Sequence, residues 1–254
     1  MKINQKNLFG IALRTLNKKN ALEKIKKYIG VPTGFFHIVS LNPEIVVIAK
    51  KDRYFREIVS KGQIQIVDGV GVVLAGKMLH LELADRTQGA ELMETLLNWA
   101  GRGRLRVMLI GGKGNLAESI SDCYSSAYPE ARFIGVEGIK DIRKPKKKEE
   151  EEIFSIITAR RPHIVFVAFG SPYQELWLWK HKDRLKRIVC MGVGGGFDYV
   201  SGSIQRAPLL IQKIGLEWLY RLIRQPWRWR RQLRLIEFIG LVLKERLSKL
   251  TRFD

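Results

Sequence analysis

The chain has 254 residues, 46% of them hydrophobic, enough to fill the core of one large domain and to exclude disorder as its default state. Its 45 Lys plus Arg against 25 Asp plus Glu leave a formal charge of +20, which calls for an anionic partner: nucleic acid, an acidic lipid surface or a phosphate-rich substrate. Cys123 and Cys190 stand far apart with no metal or redox spacing, so both read as small core residues in a reducing compartment, with the cytoplasm as the expected address.

The six-residue apolar run before Arg14 is too short for a secretory signal, and no stretch approaches ~20 uninterrupted apolar residues, so no leader or membrane span is expected. Leu8 to Leu16 reads as a strand leading into a helix at Ala21 to Tyr28. Phe35 to Leu41 is an apolar strand, and Asn42-Pro43 supplies a cap and a first helical residue for a helix ending near Gly62. Ile64 to Val67 is the next strand, broken by Asp68-Gly69 before the apolar helix Val70 to Leu79. A helix over Ala90 to Ala100 precedes the strand Arg106 to Ile110, the glycine turn Gly111 to Asn115 and the helix Leu116 to Tyr128. The strand Arg132 to Val136 is followed by the charge run Lys140 to Glu152, a solvated loop and helix start, and by the helix Ile153 to Ala159. His163 to Phe169 is a β-branched strand, Ser171-Pro172 caps and opens another helix, and Val189 to Val193 is the last strand.

Strands alternating with helices at this spacing predict a mostly parallel, doubly wound α/β sheet with helices on both faces and ligands at the carboxyl ends of its strands. The residues to watch are then Ser40 and Asn42, Asp68, Gly111 and Gly112, Gln174 and Glu175, and Gly194 and Gly195. Asp68 is either a carboxylate facing a ligand or an ordinary turn residue, Asn42 either a ligand or a helix cap, and Gln174 and Glu175 either ligands or local caps. Arg86 either holds an anion or pairs with Asp85 or Glu82. The only plausible boundary lies near Arg206 to Pro208, dividing a core over 1–205 from a helical appendage over 206–254, where 12 Lys plus Arg face 4 Asp plus Glu.

Within that appendage Pro226 is expected to break the chain into a pair of helices, Gly215 to Arg224 and Pro226 onward, so that Arg221 with Arg224 and Arg228 with Arg231 each share a face. Leu235, Ile236, Ile239, Val242, Leu243, Leu247 and Leu250 then make an apolar face that suits either an anionic membrane surface or packing on the core or on another subunit. There is no Asp-x-Asp pair, no phosphate loop ending in Gly-Lys-Ser/Thr and no Gly-x-Ser-x-Gly elbow. His37, His80, His163 and His181 show no ligand spacing, so neither a metal nor a cofactor is expected.

The segments VSLNPEIVVIA, IVDGVGVVLAGK, DRTQGAEL, VMLIGGKGN, VFVAFGSPYQELW, GVGGGFDYVSGSIQRAP and GLEWLYRLIRQPWRWRR, in this order, resemble the WecG/TagA/CpsF family of bacterial glycosyltransferases over nearly the whole chain. The resemblance implies a Rossmann-like core and inverting, metal-independent transfer of N-acetylmannosamine or its uronic acid from a UDP donor. The implied acceptor is N-acetylglucosamine on undecaprenyl diphosphate, in cell-surface polysaccharide or teichoic acid synthesis. It implies a peripheral enzyme on the anionic inner face of the bacterial membrane, with no nucleic acid partner, and leaves self-association open. The family's base aspartate falls on Asp68 and its Thr-Leu-Asn on Ser40-Leu41-Asn42, with Ser in place of Thr. Its anion-binding arginine falls on Arg86, and its Pro-Lys-Gln-Glu on Pro172 to Glu175, with Tyr173 in place of Lys. Gly111, Gly112, Gly194, Gly195 and Arg206 fall in matching segments, and the site-completing tail arginines fall on Arg221, Arg228 and Arg231. Two other classes remain open on the residues alone: a nucleic-acid-binding module built on the Arg/Trp tail, and a dehydrogenase built on Gly111 to Asn115.

Overall fold

The computed structural model describes residues 7–250 apart from Arg206, Leu209, Leu210, 212–216, Gln225, Trp227 and Arg228; of the side chains at Arg221, 230–232, Lys249 and Leu250 nothing is described either. A six-stranded, wholly parallel sheet runs in the order β4-β3-β8-β7-β5-β6. Its strands are β3 (Phe36–Leu41), β4 (Ile64–Val67), β5 (Arg106–Gly111), β6 (Arg132–Val136), β7 (Ile164–Ala168) and β8 (Val189–Gly192). Strands buried on both faces explain the near-continuous apolar runs in the sequence. Ile38, Ile66, Leu109 and Phe166 face one core with α1 (Lys18–Gly30), α5 (Gly89–Arg102) and α6 (Leu116–Ala127). Alternate residues face the other side. Val39, Leu41 and Val67 meet α2 (Pro43–Lys51), α3 (Arg53–Lys61) and α4 (Val70–Met78), while Met108, Ile110, Val165 and Val167 meet α7 (Lys147–Arg160) and α8 (Tyr173–Lys180). The short α9 (Gly196–Val200) follows β8, and α10 (Glu217–Arg224) and α11 (Trp229–Leu250) close the chain.

Four sequence expectations change. The segment read as one strand from Leu8 is a hairpin of β1 (Asn7–Leu8) and β2 (Ile11–Ala12), because Phe9 and Gly10 take φ of 50° and 89°, the left-handed pair that a two-residue turn requires. The helix expected to run from Pro43 to Gly62 is two helices. Asp52 leaves the helical conformation, and its carboxylate accepts from the Phe55 N–H at 3.0 Å, capping α3. At α8 the cap position is Pro172, not Ser171, and no side chain caps it. Cys190 is buried as expected, whereas Cys123 is exposed on the solvent side of α6.

The described part of the tail holds two helices, α10 up to Arg224 and α11 from Trp229. Its second helix, α11, is not merely laid on the surface: Phe238 and Val242 are buried with Ile45, Val46, Val72 and Ala75 of α2 and α4. Ion pairs of Arg234 with Glu44 and of Lys51 with Glu237 (2.7 Å) flank that contact. Arg234, one of the tail cations, is thus engaged within the chain. Among the described residues no helix is long and apolar enough to cross a membrane.

Candidate active site

The carboxyl ends of the three neighbours β4, β3 and β8 open into one cavity of about 720 Å³. Ser40 at the end of β3 and Asp68 just after β4 face each other there, and the Ser40 hydroxyl donates to Asp68 Oδ2 at 3.0 Å. Parallel pairing sets this register, with Ser40 beside Ile66 and Leu41 beside Val67, and the Asp68 N–H donating to the Leu41 carbonyl at 2.8 Å. Gly69 then turns the chain into α4 with φ of 92°, a conformation that a side chain at that position would strain. The Gly89 N–H, at the start of α5, also donates to the Asp68 carboxylate. A Cβ on Gly89 would stand 2.9 Å from Ser40 Oγ and 3.3 Å from Asp68 Oδ2, so glycine is what lets the helix start approach the pair.

Burial raises the Asp68 pKa above the ordinary aspartate value, because the surrounding walls penalise the charged form. The Ser40 and Gly89 hydrogen bonds and the Arg86 charge oppose that rise, and the Glu217 carboxylate adds to it. Glu217 reaches in from α10, 3.4 Å from the Arg86 guanidinium and accepting from Gln88 Nε2 at 2.5 Å. A carboxylate with a raised pKa, held by two donors and facing a cavity, is suited to take a proton from a bound hydroxyl. Arg86 and the starts of α4 and α5 supply positive potential at the same place, since Gly69 to Gly71 and Gln88 to Ala90 also line the cavity.

Most of the expected residues meet here. Ser40, Asn42, Asp68, Arg86, Gln174, Glu175, Gly194 and Gly195 all line the cavity. Asn42 also caps α2, accepting from the Ile45 N–H at 3.0 Å. Gln174 is 4% exposed and works as a brace: its Oε1 accepts from the Gly170 and Gly194 N–H groups at 3.2 and 2.9 Å, tying the loop after β7 to the loop after β8, while its Nε2 donates to Glu175 Oε1 at 2.8 Å. Gly111 and Gly112 do not line the cavity. β5 lies beyond β7 from it, and these glycines serve packing, since a Cβ would meet Phe169 at 2.9 Å and Phe197 at 3.0 Å respectively. Arg206 and Arg228 fall outside the described residues, as do the side chains of Arg221 and Arg231.

Sequence reasoning passes over Gln88, Gly89 and Glu217. Gln88 and Gly89 stand in the same DRTQGAEL segment as Arg86, and the signal for them is the glycine at a helix start. Glu217 escapes because the segment around it reads as a run of cations. Among the described residues no three His, Cys, Asp or Glu side chains converge as a metal-binding group.

Similarity to known proteins bears on this geometry. The family model described as "Glycosyl transferase WecG/TagA/CpsF family" matches residues 6–252. A protein of Bacillus subtilis (strain 168), named N-acetylglucosaminyldiphosphoundecaprenol N-acetyl-beta-D-mannosaminyltransferase, is 34% identical over 227 residues, which is 89% of this chain and 86% of that protein. Proteins of the same name from Bacillus spizizenii (strain ATCC 23059 / NRRL B-14472 / W23) and Staphylococcus aureus (strain MW2) are 35% and 30% identical. They cover 87% of this chain in both cases, and 84% and 85% of their own lengths.

Proposed function

Because the chain belongs to the WecG/TagA/CpsF family and is a glycosyltransferase, we propose that it moves N-acetylmannosamine or its uronic acid from a UDP donor to N-acetylglucosamine carried on undecaprenyl diphosphate, with inversion and without a metal. The observation that carries this reading is the Ser40–Asp68 pair on the cavity floor beside Arg86. The acceptor hydroxyl oxygen attacks C1 of the donor sugar while its proton passes to Asp68. The bond from C1 to the diphosphate oxygen breaks, its electron pair leaves with UDP, and a single displacement inverts C1. Ser40 and the Gly89 N–H hold the carboxylate in place. Arg86 and the starts of α4 and α5 meet the charge that grows on the leaving diphosphate, the task a divalent ion performs in other transferases. In this reading the segment 206–254 has the role of completing the site, and Arg221, Arg228 and Arg231 are the residues assigned to the diphosphates, with Arg206 a further substrate-binding residue. The basic, partly apolar tail seats the enzyme on the anionic inner face of the membrane, where its acceptor resides.

The test is UDP release from a panel of UDP-sugars, UDP-N-acetylmannosamine among them, with a lipid-diphosphate-linked N-acetylglucosamine acceptor and EDTA present. One donor should release UDP and yield product of opposite anomeric configuration. Silence across the panel overturns the reading, and activity that returns only on adding Mg²⁺ or Mn²⁺ overturns the metal-free account.

Glu217 bears on the same chemistry. Its charge helps to hold the Asp68 pKa up, so Glu217→Gln should lower that pKa and move the acid limb of the kcat/KM profile to lower pH. A limb that stays put, or moves to higher pH, would show that the two carboxylates do not interact across the cavity.

A further inference from the structure

The cavity has two chemically different ends. Ser40, Asp68 and Arg86 form the polar end, whereas Leu74 and Met78 of α4 face Leu235, Ile239 and Leu243 of α11 at the other. Spacing of four places Leu74 and Met78 on one ridge of α4, and Leu235, Ile239 and Leu243 on one ridge of α11. The next stripe of α11, Phe238 and Val242, is the one that packs into the core. The trough ridges are left uncovered: Leu74 is 52% exposed, Ile239 50% and Leu243 48%. α4 starts near the polar end, and from Leu235 onward α11 runs beside it in the same direction. Gly71 lies against Leu235, where an added Cβ would be 3.7 Å away, and farther along Arg246 donates to the Met78 carbonyl. From Val70 to Met78 the trough therefore extends about 12 Å, room for about two isoprene units. Exposed Lys77 and Lys244 and the exposed Leu247 stand at its far end.

We infer that this trough seats the first isoprene units of the acceptor's polyprenyl chain. The inference rests on the transferase reading above, in which the donor is polar throughout and only the acceptor carries an apolar tail. Its sugar hydroxyl must reach Asp68, its diphosphate follows, and the chain that comes next meets an apolar channel continuous with the same cavity. Burying apolar area there makes affinity grow with chain length until the trough is full.

The experiment uses the full chain and soluble acceptors, N-acetylglucosamine diphosphates bearing one, two or three isoprene units, kept monomeric and free of membranes. In the wild type, KM for the acceptor should fall about tenfold from one unit to two. In Leu74→Ser/Ile239→Ser that fall should shrink to less than about twofold, in line with the smaller apolar wall. Both substituted residues are half-exposed, so the fold should persist, and circular dichroism checks it. Leu243→Trp, which fills the trough, should raise KM for the three-unit acceptor more than for the one-unit acceptor. A wild-type KM indifferent to chain length, or an unchanged length dependence in all variants, overturns the inference. So does a wild-type dimer that the substitutions convert to monomer without altering the length dependence, which would make the trough a contact between copies. Absence of turnover with every acceptor in the wild type is a different result, and strikes the transferase reading instead.

Discussion

Asp68→Asn is expected to lower turnover by about 10²–10⁴-fold, the usual worth of a positioned general base. The substitution keeps the shape of the side chain and an oxygen that accepts from the Ser40 hydroxyl and the Gly89 N–H, so the start of α5 keeps its partner. What it removes is the site for the proton. UDP affinity and the thermal midpoint should therefore stay close to wild type while UDP release collapses. Ser40→Ala, which only loosens the carboxylate, should cost less. The raised Asp68 pKa adds a pH signature: the base is lost as pH falls through a value above the ordinary aspartate range, so the acid limb should lie higher than an exposed aspartate would give. Near-normal turnover in a folded Asp68→Asn enzyme would remove this residue from the chemistry.

The second large effect is on stability. Phe238→Ala is expected to cost about 3–5 kcal/mol, since it strips a 2% exposed ring from between α2 and α4 and leaves a cavity. Against a domain stability of about 5–15 kcal/mol, that is a substantial fraction, and it should appear as a large drop in the urea midpoint. Ile236→Ser, two residues away on the same helix but 66% exposed, should stay within about 0.5 kcal/mol of wild type. A chain cut before Trp229 would expose Ile45, Val46 and Val72 together and should lose its cooperative transition. Equal midpoints for Phe238→Ala and wild type would show that α11 contributes nothing to the fold.

The strands were legible in the sequence because a parallel strand covered on both faces is an unbroken apolar run, as at Ile64–Val67 and Ile164–Ala168. Asp68, Ser40 and Arg86 were legible for a related reason: strand ends are where such a sheet exposes polar side chains to a ligand. The order of the strands was not. Nothing periodic tells that β8 inserts between β3 and β7, so Gly111 and Gly112, on a strand–turn–helix unit much like the others, read as substrate-binding in the sequence although they do not line this cavity. Local breaks escape notice where one residue overrides its surroundings. Asp52 lies in a Lys-Lys-Asp-Arg stretch that reads as a solvated helix face, yet its carboxylate ends one helix and begins another. The double use of α11 was half visible. Its apolar residues stand out in the sequence, but which stripe enters the core and which remains uncovered depends on the direction from which α2 and α4 approach.

Phe9 in the turn of the β1–β2 hairpin meets Phe238 edge-on, with ring centroids 6.4 Å apart. That contact joins an early-made stretch of the chain to a late one. During synthesis α2 and α4 leave the ribosome long before their cover: 160 residues separate Met78 from Phe238, a delay of about 10–30 s at bacterial translation speeds. Throughout that interval the apolar flank formed by Ile45, Val46, Val72 and Ala75 is without Phe238 and Val242, which pack against it in the finished chain. The packing of α2 and α4 is therefore completed by residues that are made near the end of synthesis.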